Sequence, residues 1–289
     1  MTRAGIVTVA GKPNVGKSTL LNRIVGQKLS ITSEKPQSTR DRIVGIHTQA
    51  DAQMVVFDTP GLLDPAYELQ ETMRSAALRA LDDADVILYL TDAGERDAPS
   101  LTDAAALKSP PRAPVIHVVN KTDSVSRSQH KSAMERYPQA VFISALTGEG
   151  VKDLLDTVRA GLPESEFLYP ADDMSTQSVR FFAAELVRET ALEQLGDEVP
   201  YSVACVVEEY REDRSPIYVR TLIYVERESQ KKILIGAKGA RIRSIGEAAR
   251  KKIETLAGGK IYLDLWVKVL PNWRRDAGAL ERLGYKSRY

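Results

Sequence analysis

The chain is poor in the residues that build metal centres and covalent cross-links. Cys205 is the only cysteine among 289 residues, which excludes an intramolecular disulfide and any cysteine-based metal cluster. It lies in the apolar run Val203 to Val207, where a small buried hydrophobe is expected. The three histidines, His47, His117 and His130, are scattered, so no zinc-type ligand spacing arises. No apolar run approaches the length of a membrane span, and the N-terminus carries no secretory segment, so a cytoplasmic protein is expected. Repeats and low-complexity tracts are lacking as well. Net charge is almost absent too: 40 basic and 39 acidic residues nearly cancel.

That balance hides a strong asymmetry. Residues 1–165 hold 19 Lys and Arg against 20 Asp and Glu, and residues 166–228 hold 6 against 14. Residues 229–289 hold 15 against 5, a net +10 that points to a polyanion-binding surface near the C-terminus.

The first half carries four segments in a telling order. Gly11-Lys12-Pro13-Asn14-Val15-Gly16-Lys17-Ser18 is a G-x-x-x-x-G-K-S loop between an apolar run, Ile6 to Ala10, and a helical pattern, Ser18 to Val25. Such a loop cradles phosphates. N–H groups at the helix start point at the anion, Asn14, Val15, Gly16 and Thr19 are candidate nucleotide contacts, Lys17 reaches the β- and γ-phosphates, and the Ser18 hydroxyl ligates Mg²⁺. Asp58-Thr59-Pro60-Gly61 follows the apolar run Met54 to Phe57. Asp58 is placed to hold the Mg²⁺ shell, and Gly61 to turn a main-chain N–H toward the γ-phosphate. In the polar stretch Gln37-Ser38-Thr39-Arg40-Asp41, Thr39 is chosen as the second hydroxyl ligand of Mg²⁺, with Ser38 as the adjacent competitor. Lys17, Thr39 and Gly61 are therefore the candidate catalytic residues.

The other two segments select the base. Asn120-Lys121-Thr122-Asp123 follows the run Val115 to Val119. The Asp123 carboxylate matches the N1–H and N2 amine of guanine, donors that adenine does not offer. The Lys121 stem is expected along the base, with Asn120 tying the loop to its neighbours. Ser144-Ala145-Leu146, after Val141 to Ile143, is positioned to give a main-chain N–H to guanine O6.

Leu62 occupies the position where Ras-type GTPases carry a water-orienting Gln. Slow unassisted hydrolysis with an external activator is therefore expected. In related GTPases an Asn at the position of Asn14 helps hold K⁺, so K⁺ is a second candidate ion.

Two prolines and several acids over Leu162 to Asp173 mark a boundary. The organisation expected is a GTPase domain over 1–165, a linker over 166–175 and an RNA-binding domain over 176–289 with a basic tail. The second domain reads as a helix over Ser178 to Leu195, strands over Tyr201 to Glu209 and Ile217 to Glu226, and a short helical run through Ile233 to Ile235. Gly236-Ala237-Lys238-Gly239, a basic helix and an alternating strand over Ile261 to Val269 complete it. Gly-x-x-Gly in that order is the loop of a KH domain, which clamps single-stranded nucleic acid. Ile235, Gly236, Ala237, Lys238, Gly239, Arg241, Arg243 and Lys251 are the candidate RNA contacts, with Ile233 and Ile235 forming the base groove. Trp266 and Trp273 read as packing residues, Trp266 in particular.

Taken together the chain resembles the Era family of bacterial GTPases from end to end. The likeness rests on Gly11 to Leu21, Lys35-Pro36-Gln37 with Thr39-Arg40, and Arg42 to Ile46. In the second half it rests on Val199-Pro200-Tyr201-Ser202, Val225 to Glu228, Ile245 to Arg250 and Leu265-Trp266-Val267-Lys268-Val269. The resemblance implies an α/β P-loop GTPase domain, mostly parallel in its sheet, followed by an α+β type II KH domain. It implies a monomeric GTP/GDP switch that binds the 3′ end of 16S ribosomal RNA and acts in maturation of the small ribosomal subunit. GTP would free the RNA groove and GDP reverse this. Peripheral contact with the inner face of the cell membrane is a further expectation. Competing readings are a constitutive RNA-binding module with a structural nucleotide and a membrane-surface signalling GTPase.

Overall fold

A computed structural model describes residues 1–33, 35–196 and 199–285; the last residues of the basic tail, 286–289, lie outside them. The chain forms two compact units, residues 1–66 with 70–176, and residues 177–289 with 67–69.

In chain order the first unit comprises β1 (Arg3–Gly11), α1 (Lys17–Val25), β2 (Ile43–Thr48), β3 (Ala52–Asp58), α2 (Glu68–Asp82, from Gln70 onward) and β4 (Val86–Asp92). It continues with α3 (Leu101–Ala104), β5 (Val115–Asn120), α4 (Arg127–Arg136), β6 (Val141–Phe142) and α5 (Val151–Gly161). The sheet order is β2-β3-β1-β4-β5-β6. Only β2 runs antiparallel, paired with β3. A sheet flanked by helices buries its strands on both sides, which is why β1, β3 and β4 read as near-continuous apolar runs. Among the polar exceptions, Thr8, fully buried on β1, donates from Oγ1 to the Ala80 carbonyl at 2.5 Å. α5 buries Val151, Leu154 and Val158, one apolar stripe at helical spacing. The parallel strands all end on one side of the sheet, so the four motif loops emerge together.

The expected linker lies along this unit rather than hanging from it. Leu168 N and Tyr169 N donate to Gln53 Oε1 at 2.8 and 2.9 Å. Ile46 N donates to the Met174 carbonyl at 2.8 Å, and Ser175 Oγ to that of Val44 at 2.5 Å. The strap thereby covers the edge of β2, which would otherwise present unpaired main-chain groups.

The second unit comprises α6 (Val179–Gln194), β7 (Ala204–Arg211), β8 (Ile217–Val225), α7 (Glu228–Ile235), α8 (Ala240–Ala257), β9 (Ile261–Val269) and α9 (Ala277–Arg282). Its sheet runs β7-β8-β9, with β7 antiparallel and β9 parallel to β8. Ile245, Ala249 and Ile253 of α8 pack with Val187 and Ala191 of α6 over Val219, Ile223 and Val225 of β8. Cys205 is partly buried against this core rather than within it.

The two tryptophans diverge. Trp273 is fully buried, its Nε1 donating to the Ser202 carbonyl at 3.0 Å. Trp266, expected to pack, is instead 54% exposed. The alternation of β9 sends Leu265 and Val267 to the core, so Trp266 between them points outward.

Candidate active site and nucleic-acid groove

Gly16 adopts φ 97°, and a Cβ there would fall 2.2 Å from Asn120 Nδ2, so only glycine fits between the phosphate loop and the base loop. The same closeness makes Asn120 a junction. Its Nδ2 donates to the Val15 carbonyl at 2.7 Å, and its Oδ1 accepts from Ala145 N at 2.9 Å. One buried amide thus joins the G-x-x-x-x-G-K-S, N-K-T-D and S-A-L segments.

At the phosphate end, the Lys17 ammonium is buried and donates to the Gly11 and Lys12 carbonyls at 3.1 and 2.8 Å. Burial pulls its pKa down to about 8, against the opposing pull of the Asp58 carboxylate. Asp58 is fully buried at the end of β3, and its Oδ2 accepts from Ser18 Oγ at 2.7 Å and Thr39 Oγ1 at 3.3 Å. The two hydroxyls lie 2.9 Å apart. Burial raises the Asp58 pKa, while Lys17 and the hydroxyls of Ser18, Ser30 and Thr39 oppose the rise. Asp58 Oδ1 is buried without a hydrogen-bond partner. Hard oxygen donors converging on one carboxylate with a spare lone-pair atom fit Mg²⁺, which takes few protein ligands and shares the rest with phosphates and water. Among the described residues no cluster of three or more His, Cys, Asp or Glu offers another cation site.

Gly61 approaches Pro13 so closely that a Cβ would sit 2.6 Å from its nitrogen. The Leu62 N–H donates to the Gly11 carbonyl at 3.0 Å, and the Leu62 side chain is buried with Ala10, Ala77 and Leu81. It faces the core and orients nothing in the site.

The phosphate pocket is lined by Asn14, Gly16, Lys17, Ser18, Thr19, Thr39 and Gly61, with Ser38 also at its wall. The base pocket is lined by Asn120, Lys121, Asp123, Ala145 and Leu146. Asn14, Thr19, Thr32 and Ser33 line both, so the two form one trough. Val15, Asp58 and Ser144 stand behind it. Ser144 Oγ donates to Asp123 Oδ1 at 2.5 Å and fixes that carboxylate. Lys121 pairs with Asp92 at 2.8 Å.

Several participants carried no sequence signal. Arg23 on α1 donates from Nε to the Ala145 carbonyl at 3.2 Å and from Nη2 to that of Leu146, shaping the base loop from 122 residues away. Asp92, Thr32 and Ser33 belong to no motif; a pair of adjacent hydroxyls was the only hint of the last two.

In the second unit, Gly236, Lys238 and Gly239 all have positive φ, at 73°, 49° and 77°. Gly239 caps the 18-residue α8 without a side-chain acceptor, and the loop closes on itself: Gly239 N donates to the Gly236 carbonyl and Ala240 N to that of Ala237. Ala237, Lys238, Arg241, Arg243 and Lys251 are exposed. A groove opens between α8 and β9, lined by Gly239, Ile242, Arg243, Gly246, Arg250, Leu263 and Leu265 among others. Its apolar floor comes from these elements; Ile233 and Ile235 sit on α7 and are not among its lining residues. Of the candidate RNA contacts, Gly239 and Arg243 line the groove; Ile235, Gly236, Ala237, Lys238, Arg241 and Lys251 are not among its lining residues.

Family models agree with this division. One described as a 50S ribosome-binding GTPase matches residues 6–121, and one described as a KH domain matches residues 198–274. GTPase Era of Ectopseudomonas mendocina is 44% identical, covering 99% of this chain and 98% of its own. GTPase Era of Geobacter metallireducens is 42% identical over 98% of each. The chain belongs to the Era family of GTPases.

Two solved Era structures share the whole fold. One, in complex with MgGDPNP and nucleotides 1506–1542 of 16S ribosomal RNA, has a TM-score of 0.92 at 38% identity and covers 99% of both chains. The other, a single-residue variant of Aquifex aeolicus Era bound to GDP·AlF4⁻, has the same score and identity, covering 98% of this chain and 99% of its own. This Era-family chain is thus a P-loop GTPase with a C-terminal KH domain, and the resemblance read from its sequence holds over its full length.

Proposed function

We propose that this chain is a GTP-hydrolysing switch that binds the 3′ end of 16S ribosomal RNA through its KH unit and acts in the cytoplasm in maturation of the small ribosomal subunit. The observation that carries the reading is the Asn120 junction, which sets a phosphate loop and a guanine-matched carboxylate, Asp123, in one trough. In this reading Lys17 holds the β- and γ-phosphates, and Ser18, Thr39 and Asp58 would hold Mg²⁺, a cation that would supply positive charge to the transferring phosphoryl group. Thr39 is favoured over Ser38 because its hydroxyl already meets Ser18 and Asp58. Ser144 N–H is spent on Glu149 and Ala145 N–H on Asn120, so Leu146 N–H is the donor assigned to guanine O6. RNA phosphates dock on Gly236 to Gly239 and the start of α8, with Lys238, Arg241, Arg243 and Lys251 adding charge. The known relative's complex with 16S nucleotides 1506–1542 supports the choice of RNA.

With Leu62 turned to the core, hydrolysis relies on clamping and cations. Asn14, at the trough wall, is assigned to a K⁺ beside the phosphates. Steady-state GTP turnover by the isolated chain tests this. The expected rate is below about 1 s⁻¹ and higher in KCl than in NaCl. Equal rates in the two salts remove the K⁺ assignment, and absence of GTP turnover in either removes the enzymatic reading.

A further inference from the structure

We propose that Tyr262 and Tyr218 form a base-stacking platform at the mouth of the α8–β9 groove, taking one nucleobase of single-stranded RNA next to those held in the groove. The proposal rests on the RNA reading of that groove and extends it by one subsite.

The groove has two distinct ends. Gly246 lies against Leu265, where an added Cβ would meet Cδ1 at 3.4 Å, and Glu254 Oε1 accepts from Ile261 N at 3.1 Å. α8 and β9 therefore run in opposite directions, and the groove's far end, away from the glycine loop, is framed by Arg250 and Tyr262. Tyr262 stands at the groove's edge: its ring lies on the face of β9 opposite Leu263 and Leu265, the face that carries Trp266, and is 60% exposed.

Its underside is built. Tyr218 is its register partner across β8 and β9, and the rings stack at 5.8 Å with planes 13° apart. Tyr218 is anchored in turn: its hydroxyl donates to Asp264 Oδ2 at 2.9 Å. Arg220 donates to the same oxygen at 3.0 Å and to Glu209 Oε1 at 2.9 Å. Although partial burial works the other way, hydrogen bonds from Trp266, Tyr218 and Arg220 hold the Asp264 carboxyl below its ordinary value, keeping the anchor ionised. One ring is thus fixed beneath another whose outer face is open. Such a ring takes any base by stacking and loses little freedom in doing so. Arg250, exposed at the same end, supplies the cation for the adjoining phosphate.

The test uses the full chain with a non-hydrolysable GTP analogue and fluorescent RNA. The tightest-binding tetranucleotide from 16S nucleotides 1506–1542 is extended by one nucleotide at either end, with or without its base. One base-bearing extension should tighten binding about 5- to 150-fold, the worth of one stacked base, and the abasic extension should not. Tyr262→Ala should erase the gain while leaving the tetranucleotide's affinity within about twofold, and Tyr262→Phe should keep it. Thermal unfolding of both variants controls for loss of the Tyr218–Tyr262 strand pair. A gain that survives Tyr262→Ala, an equal gain from the abasic extension, or no gain at either end overturns the platform. If the tetranucleotide itself does not bind, and longer RNA binds without regard to Lys238→Asp, the groove reading fails and the platform falls with it.

Discussion

Lys17 shows how a single side chain sets the working conditions of the site. Its ammonium is buried on two carbonyls, and desolvation lowers its pKa from 10.5 to about 8. A lowered lysine pKa means the folded protein binds fewer protons than the unfolded chain between pH 8 and 10.5. The penalty on folding is therefore complete below pH 8 and fades as pH rises through that window. Nucleotide phosphates held by Lys17, as in the proposed function, would reverse the preference, because they need the charged form. Affinity for a fluorescent, non-hydrolysable GTP analogue should be flat below pH 8 and fall by up to about tenfold per unit above it, with proton uptake on binding. Lys17→Met should bind weakly and without that bend. A wild-type profile flat to pH 9.5 would contradict the buried, charge-switching lysine.

At the scale of elements, legibility followed range. Gly11 to Ser18, Asp58 to Gly61 and Asn120 to Asp123 each pack their residues into a few consecutive positions at a strand's end, so order and spacing bring them to notice. Arg23, Asp92 and Gln53 act on partners 122, 29 and over 100 residues away, and no local pattern announces them. Trp266 failed for another reason: alternation says that a strand has two faces, but not which face the helices cover. Gln53 is the clearest case of hidden function. Fully buried on β3, it accepts from Leu168 N and Tyr169 N and donates to Thr48 Oγ1 and the Tyr169 carbonyl, at 3.0 and 2.8 Å. A leucine of similar size leaves three strap groups unpaired. Gln53→Leu should destabilise the first unit by about 1–3 kcal/mol, tempered by water reaching the half-exposed strap. Chemical unfolding followed by a probe in that unit measures it, with nucleotide affinity unchanged. An unaltered midpoint would mean that the Ile46–Met174 and Ser175–Val44 bonds suffice.

For the molecule as a whole, the question is whether the nucleotide speaks to the RNA. Thr39, which meets Ser18 and Asp58, lies four residues before β2, and β2 holds Ser175 and Met174 through Val44 and Ile46. Residue 177 begins the second unit. If the Thr39 segment shifts on phosphate loss, β2 and the strap bonded to Val44 and Ile46 are the elements of the first unit next in line to respond. Coupling of this kind is reciprocal. If the GTP analogue tightens RNA binding relative to GDP, RNA must tighten the analogue over GDP by the same factor. The expected factor is about tenfold or more, within the usual range for linked sites. Affinities for a 16S 3′-end RNA in the two nucleotide states, and for the two nucleotides with and without RNA, close the thermodynamic box. Equal RNA affinity in both states would make the chain a constitutive RNA-binding module with an independent GTPase. A box that closes at a factor well above one would make the strap the element to disrupt: Ser175→Ala, which removes the bond to Val44, should then shrink the factor while leaving each unit's own ligand bound.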